Sequence, residues 1–196
     1  LELCHPMGGI AECYLNNRGL SGLSDSYPDD LKAFESLPYW HDGKQLGSFP
    51  AMLGVIRNLA GDVVSLHRTY LDAHGNKANV PAPKKLMSPA VSGATAGCAI
   101  QLYPPTKQLA ITEGIETALA VRLSTGLPVW AAISTTMLEK VHLPTSIEEV
   151  YIMADKDLSG AGESSASILY QRLQHHYKVK VVLPEPPIPD GSMSID

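Results

Sequence analysis

The chain has only three cysteines, Cys4, Cys13 and Cys98, and no two of them form a C-x-x-C pair. An odd number without that spacing argues against a disulfide framework and points to a reducing compartment, the cytoplasm. There is no apolar run of about 18 residues, so no stretch reads as a membrane-spanning helix. No leader with a basic start, an apolar middle and a cleavage site opens the chain, so no secretory signal is read. The seven histidines include no H-E-x-x-H, which removes one common zinc-hydrolase signature. No zinc-binding module and no helicase motor is visible. The net charge of −5 excludes a uniformly basic coat for nucleic acid. A first residue other than Met, and a last one inside a motif-like run, read as a piece cut from a longer protein.

What is present is a globular composition. Over 196 residues, 44% are hydrophobic and 18% charged, enough apolar material for a proper core. Charge is uneven. Between Arg57 and Lys107 there are six Lys or Arg against two Asp, and the flanks are acidic. A basic stretch beside an acidic one suits phosphate handling, since carboxylates alone would repel such a substrate.

The stretch LAITEGIETAL, Leu109–Leu119, organises the rest. Leu109–Thr112 reads as a buried strand, Glu113 and Gly114 end it, and Ile115, Ala118, Leu119 and Leu123 recur at helical spacing. A carboxylate thus stands at the mouth of a strand, where open α/β sheets place their chemistry. Glu149–Ala154 reads as a second strand. It ends in Asp155-Lys156-Asp157, followed by Gly160, Gly162 and another helix. If the two strands are parallel neighbours, Glu113, Asp155 and Asp157 meet at one sheet edge. Carboxylates that close repel one another unless a hard cation such as Mg²⁺ lies among them.

TEGIET followed by MADKDLSGAG resembles the Toprim domain shared by bacterial primases, type IA and type II topoisomerases and certain nucleases. That resemblance implies a Rossmann-like α/β domain with a mainly parallel four-stranded sheet. It makes Glu113 a general base or metal ligand, and Asp155 and Asp157 the ligands of Mg²⁺, with Mn²⁺ as a substitute. Glu116 stands where primases carry the Asp of E-G-x-x-D and offers further acidic support. Asp190 or Asp196, in the Pro-rich tail, could fill the place of a last acidic residue.

The rest of this half alternates. Helix Ile115–Thr125 is closed by Gly126 with Pro128 beyond. Strand Val129–Ile133 leads through Ser134-Thr135-Thr136, either a phosphate-binding turn or a helix cap, into helix Met137–Val141. Strand Val150–Ala154 leads to helix Glu163–Tyr177, and strand Lys178–Leu183 comes last.

The first half reads as α+β. Gly8–Arg18 has helical spacing through Ile10, Tyr14 and Leu15. Leu31–Phe34 reads as a short edge strand and Leu37–Gly47 as irregular, with a turn at Asp42–Lys44. Trp40 is expected to plug a small core, though with His41 it could stack a base or sugar. Ala51–Leu59 and Val63–Leu71 flank Ala60-Gly61-Asp62 as a hairpin. Ala99–Tyr103 reads as a strand.

GDVVSLHRTYL and PKKLMSP resemble the segment before the Toprim domain of bacterial primases, most closely those of phages, plasmids and mobile elements. The primase pattern GFGGR is replaced here by SLHRT, so of that motif Arg68 alone carries over. Lys84 is the lysine of the Pro-Lys pattern, and Lys85 follows it. The resemblance implies that Arg68, Lys84 and Lys85 grip nucleoside triphosphates or template. It also implies a boundary between a primase-like subdomain, 1–105, with an antiparallel sheet, and the Toprim domain, 106–196. The implied activity is Mg²⁺-dependent primer synthesis on single-stranded DNA in a bacterial cytoplasm. A zinc-binding or helicase domain elsewhere in the full-length chain, or in trans, is the implied partner. A metal-dependent Toprim nuclease and a non-catalytic binding module of a helicase–primase are the alternatives.

Overall fold

In the computed structural model the described residues are 4–23, 27–89, 91, 93–184 and 194–195; Asp157, Ser194 and Ile195 are described by backbone alone. In chain order the elements are β1 His5–Pro6, α1 Gly9–Asn17, β2 Leu31–His41, β3 Lys44–Arg57, β4 Val63–Tyr70, β5 Lys84–Leu86 and β6 Ala99–Ile100. Then come β7 Gln108–Thr112, α2 Ile115–Thr125, β8 Val129–Ala131, α3 Thr135–Lys140, β9 Glu149–Met153, β10 Lys156–Asp157, α4 Ala161–Leu173, β11 Lys178–Val182 and β12 Ser194–Ile195. Within the described residues, no helix is long and apolar enough to cross a membrane.

One sheet runs through both halves in the order β1-β2-β3-β6-β8-β7-β9-β11, with β4 and β5 branching from β3. The β8-β7-β9-β11 portion is parallel. The β1-to-β6 portion is antiparallel. The short strand β6 joins them: Ile100 pairs with Ile56 of β3 and with Ala131 of β8. The main core follows the join. It holds Met52 and Ile56 from β3, Ile100 from β6, Ile111 from β7, Trp130 from β8 and Ile152 from β9. Tyr14 and Leu15 of α1, Leu119 of α2, Leu138 of α3 and Leu169 of α4 close over it. Each such apolar side chain, fully buried, contributes roughly 1.5–3 kcal/mol.

Helix α2 has the bounds that its periodicity predicts. Ile115, Ala118 and Leu119 are its buried face, and Gly126 ends it at φ +71°, returning its N–H to the Arg122 carbonyl. Helix α4 begins earlier and ends sooner than its pattern suggests, with Gln174 as its last capping residue.

The stretch Leu37–Gly47 is not irregular. β2 and β3 form a long hairpin whose two-residue turn, Asp42-Gly43, has φ +48° and +74°, the positive pair that an Asp-Gly hairpin turn requires. Pro38 hid the strand. β1 covers β2 only at Lys32 and Ala33, so at Pro38 β2 is an edge and the missing N–H breaks no ladder. Two register shifts in the hairpin blur the alternation further. Trp40 does not plug a core: it is 54% exposed. Its neighbour Tyr39 does, in a second small cluster with Leu53, Tyr70 and Ala78 on the sheet's other face.

The parallel strands are wound from the middle. β7 leads through α2 to β8 on one side; β8 leads through α3 to β9 on the other side of β7, and β9 through α4 to β11. The direction of winding therefore reverses at β7, so α3 and α4 pack against each other while α2 takes the opposite face. At such a reversal the loops leave in opposite directions and a crevice opens at the carboxyl ends of the strands.

Candidate functional site

Strands β7 and β9 are parallel neighbours with Thr112 level with Met153. Glu113 and Asp155 therefore leave the sheet together at this crevice. Both line a cavity of about 170 Å³, and both are half-buried. Asp157 follows in β10, which pairs antiparallel with β12, so the chain's tail returns to the Asp-x-Asp loop at Asp157–Ser194. Asp190 and Asp196 lie outside the described residues. A larger hollow of about 570 Å³ lies beside Asp30 and Arg57 and holds neither strand-end carboxylate; chemistry, not size, selects the smaller one.

Two glycines shape the rim. Gly160 caps α4 at φ +70°, and a Cβ on Gly162 would lie 2.2 Å from the Asp155 carbonyl oxygen. Only a residue without a side chain lets α4 start this close to Asp155. Across the cavity, Ile133 is held at φ +72° and its N–H donates to the Glu113 carbonyl at 2.7 Å. A β-branched residue there stores roughly 1–3 kcal/mol of strain, a condition that concentrates at functional sites. The sequence carries no signal for it. Ser134 is a helix cap, its hydroxyl accepting from the Met137 N–H at 3.2 Å.

The first half contributes the far wall. Lys84 of β5 and His67 of β4 line the same cavity as Glu113 and Asp155. Lys84 Nζ lies 2.9 Å from Glu116 Oε1 and donates to Oε2 at 3.0 Å. Tyr14 Oη donates to Glu116 Oε1 at 2.5 Å. Glu116 is only 6% exposed. Burial alone would raise its pKa, but the Lys84 charge and the bonds from Tyr14 and Lys84 prevail and bring it down to about 2. Glu116 is thus a fixed anion that anchors Lys84, and its two oxygens are engaged by protein. His67 is driven the other way: burial, then the Lys84 charge, lower it to about 4, against a smaller pull from Glu116. Its ring is neutral at physiological pH.

Arg68 and Lys85 pair across β4 and β5 and face the opposite side of the sheet from His67. Arg68 donates to the Leu86 carbonyl at 3.3 Å and to the Tyr70 hydroxyl at 3.4 Å. Lys85 lies 4.2 Å above the Tyr39 ring and donates to the Trp40 carbonyl. Neither lines the cavity. The basic stretch is also less free than its charge count suggests: Arg57 grips Asp30 at 2.8 Å and Lys107 meets Glu148 at 2.6 Å.

The donor set fits a hard divalent cation. Mg²⁺ takes one or two carboxylates and fills its other positions with water and substrate phosphate, and Glu113 and Asp155 offer that much. Among the described residues, no group of three His, Cys, Asp or Glu is close enough to enclose an ion by itself.

Residues 108–191 match the family model of the Toprim domain. That stretch of the chain is a Toprim domain. The matched stretch includes Glu113 after β7, Asp155 after β9 and Asp157 in β10. Residues 3–97 match a domain of unknown function, DUF7146. Among solved structures, the chain is similar in fold to the Escherichia coli primase catalytic core, at TM-score 0.57 and 13% identity over 94% of this chain and 66% of that one. It is similarly related to the DnaG primase catalytic domain bound to single-stranded DNA, at 0.55 and 13%, covering 94% and 67%. A DNA primase domain from Pseudomonas aeruginosa matches at 0.50 and 14%, covering 81% of this chain and 50% of that one. The chain thus spans half to two thirds of the length of these cores. A search of curated protein sequences gives no match.

Proposed function

We propose that the chain is the catalytic core of a primase-like nucleotidyltransferase, which joins nucleoside triphosphates into short primers on single-stranded DNA. The observation that carries this reading is the cavity itself. Two strand-end carboxylates from the Toprim sheet and one anchored lysine from the preceding sheet face the same space. Phosphoryl transfer needs that mixture, with acidic groups to hold a cation and a fixed positive charge to meet the phosphates.

Glu113 and Asp155, with Asp157 beside them in β10, would hold Mg²⁺ or Mn²⁺, which neutralises the triphosphate and stabilises the leaving pyrophosphate. Glu113 would also accept the proton of an attacking 3′-hydroxyl. Lys84, held by Glu116, meets the triphosphate charge without wandering. Similarity to primase cores, one of them described as bound to single-stranded DNA, supports the choice of template. A zinc-binding or helicase module, in the full-length chain or in trans, completes the proposed set of partners.

The test is primer synthesis on single-stranded DNA with labelled nucleotides and Mg²⁺, beside Glu113→Gln. Short products that vanish in the variant are expected. Metal-dependent loss of the template without synthesis would replace this reading with the nuclease. Neither activity from a folded chain would replace it with a binding module.

A further inference from the structure

His67 is the buried group that the reading above leaves unused. It is 6% exposed, lines the cavity with Glu113, Asp155 and Lys84, and its Nδ1 has no hydrogen-bond partner among the described residues. Two more polar atoms nearby share that condition. Thr69 Oγ1 is on the same strand face two residues on, and Thr117 Oγ1 belongs to the cavity wall on α2. A buried polar atom left unpaired costs about 1–3 kcal/mol, so the unpartnered Nδ1 bears on which ring nitrogen of His67 carries the proton beside the cavity.

The tautomer follows from the same bookkeeping. An orphaned buried N–H is rarer than an orphaned acceptor, which puts the lone pair on Nδ1 and the proton on Nε2. Beside Lys84, an N–H donor has one natural complement: an anionic oxygen. Given the nucleotidyl-transfer reading of this cavity, on which the assignment rests, we propose that His67 is a substrate-contacting residue whose Nε2–H donates to a phosphate oxygen held at the same time by Lys84. The phosphate belongs either to a nucleoside triphosphate or to a nucleic-acid backbone. The ring adds direction to what Lys84 supplies as charge: an ammonium accepts phosphate from many angles, whereas a locked imidazole accepts one.

The experiment is calorimetric titration of the 196-residue chain with Mg²⁺-ATP and, separately, with an oligothymidylate, for wild type, His67→Leu and His67→Gln. The Gln amide returns an N–H near the Nε2 position, and Leu does not. His67→Leu is expected to weaken one probe roughly tenfold or more, the size of one hydrogen bond to a charged oxygen. His67→Gln should restore most of it, and the weakened probe names the source of the phosphate. As a second reading independent of the variants, the Nε2 resonance of His67 should shift when the wild type is saturated with that probe. Wild-type affinity for both probes in His67→Leu would overturn the assignment. So would a loss that Gln does not restore with no shift at Nε2, because that pattern belongs to packing. Wild-type chain that binds neither probe would also overturn it, while the Glu113→Gln primer assay judges the enzyme reading on its own.

Discussion

Lys84 Nζ and the Glu116 carboxylate lie 2.9 Å and 3.0 Å apart through the two carboxylate oxygens, and this pair ties the edge strand β5 to the first turn of α2. The bond spans 32 positions of sequence and sets a basic residue from one half against the acidic pocket of the other. Glu116→Ala removes the anchor and strips Tyr14 Oη of its acceptor. Because Lys84 is more than a third exposed, solvent screens part of the attraction. A loss of about 1–3 kcal/mol is expected, read as a lower urea midpoint with unchanged slope.

The geometry separates the three basic residues of the first half. Lys84→Ala should weaken Mg²⁺-nucleotide binding and primer synthesis at least tenfold, as loss of a charge-assisted contact does. Arg68→Ala and Lys85→Ala, on the other sheet face, should leave nucleotide affinity within about twofold. They should cost roughly 0.5–1 kcal/mol of stability each, through their lost contacts with Tyr70 and Tyr39. Equal functional loss in all three would contradict the placement.

Acid should destabilise the fold in two overlapping steps. His67 is ordinarily protonated below 6.5 but resists until about 4 in the folded chain. Between those values the unfolded state binds more protons, so stability falls as pH drops through this window. Glu116 is depressed from 4.5 to about 2; its contribution is complete above 4.5 and is lost as pH falls towards 2. His67→Gln should therefore flatten the stability curve between pH 6.5 and 4, and Glu116→Gln should flatten it below 4.5. Urea midpoints across pH 3–8 for the two variants check both windows.

Gly162→Ala tests the rim. The new methyl would meet the Asp155 carbonyl oxygen at 2.2 Å, too close for any side chain, so α4 must withdraw. Overpacking of this kind costs roughly 1–3 kcal/mol. Activity should fall further than stability accounts for, because the backbone that moves carries Asp155. Full activity with a normal melt would show that the approach is not needed.

What the sequence made legible was local. Leu109–Thr125 shows its strand, its break and its helix within seventeen consecutive residues, and period and capping chemistry suffice to read it. Asp155 could be placed at a strand end for the same reason, and Lys84 through the PKKLMSP resemblance. What was hidden depends on distance or on choosing a face. Alternation in β4 separates Ser65, His67 and Thr69 from Leu66 and Arg68, and ordinary polarity would turn the second set inward. Here the polar set is the more buried one, because it faces the main core and the cavity. Tyr14 reaches Glu116 across 102 positions, beyond any local pattern. Ile133 occupies a backbone region that its own side chain argues against. Pro38 masked an edge strand that only the shortness of β1 makes permissible.

The two stretches matched by different families, 3–97 and 108–191, look like interchangeable cassettes on paper. β6 denies them that freedom. Ile100 is at once the neighbour of Ile56 and of Ala131, so any recombinant that swaps one stretch must keep a three-strand register and the core that crosses it. A graft that shifts this join by one residue would exchange the faces of Ala99 and Ile100, both of them buried, and one that loses β6 would open two raw sheet edges in the middle of the molecule. Lineages carrying this pairing of stretches are expected to exchange them together, and chimeras cut between them are expected to aggregate before they lose any catalytic group.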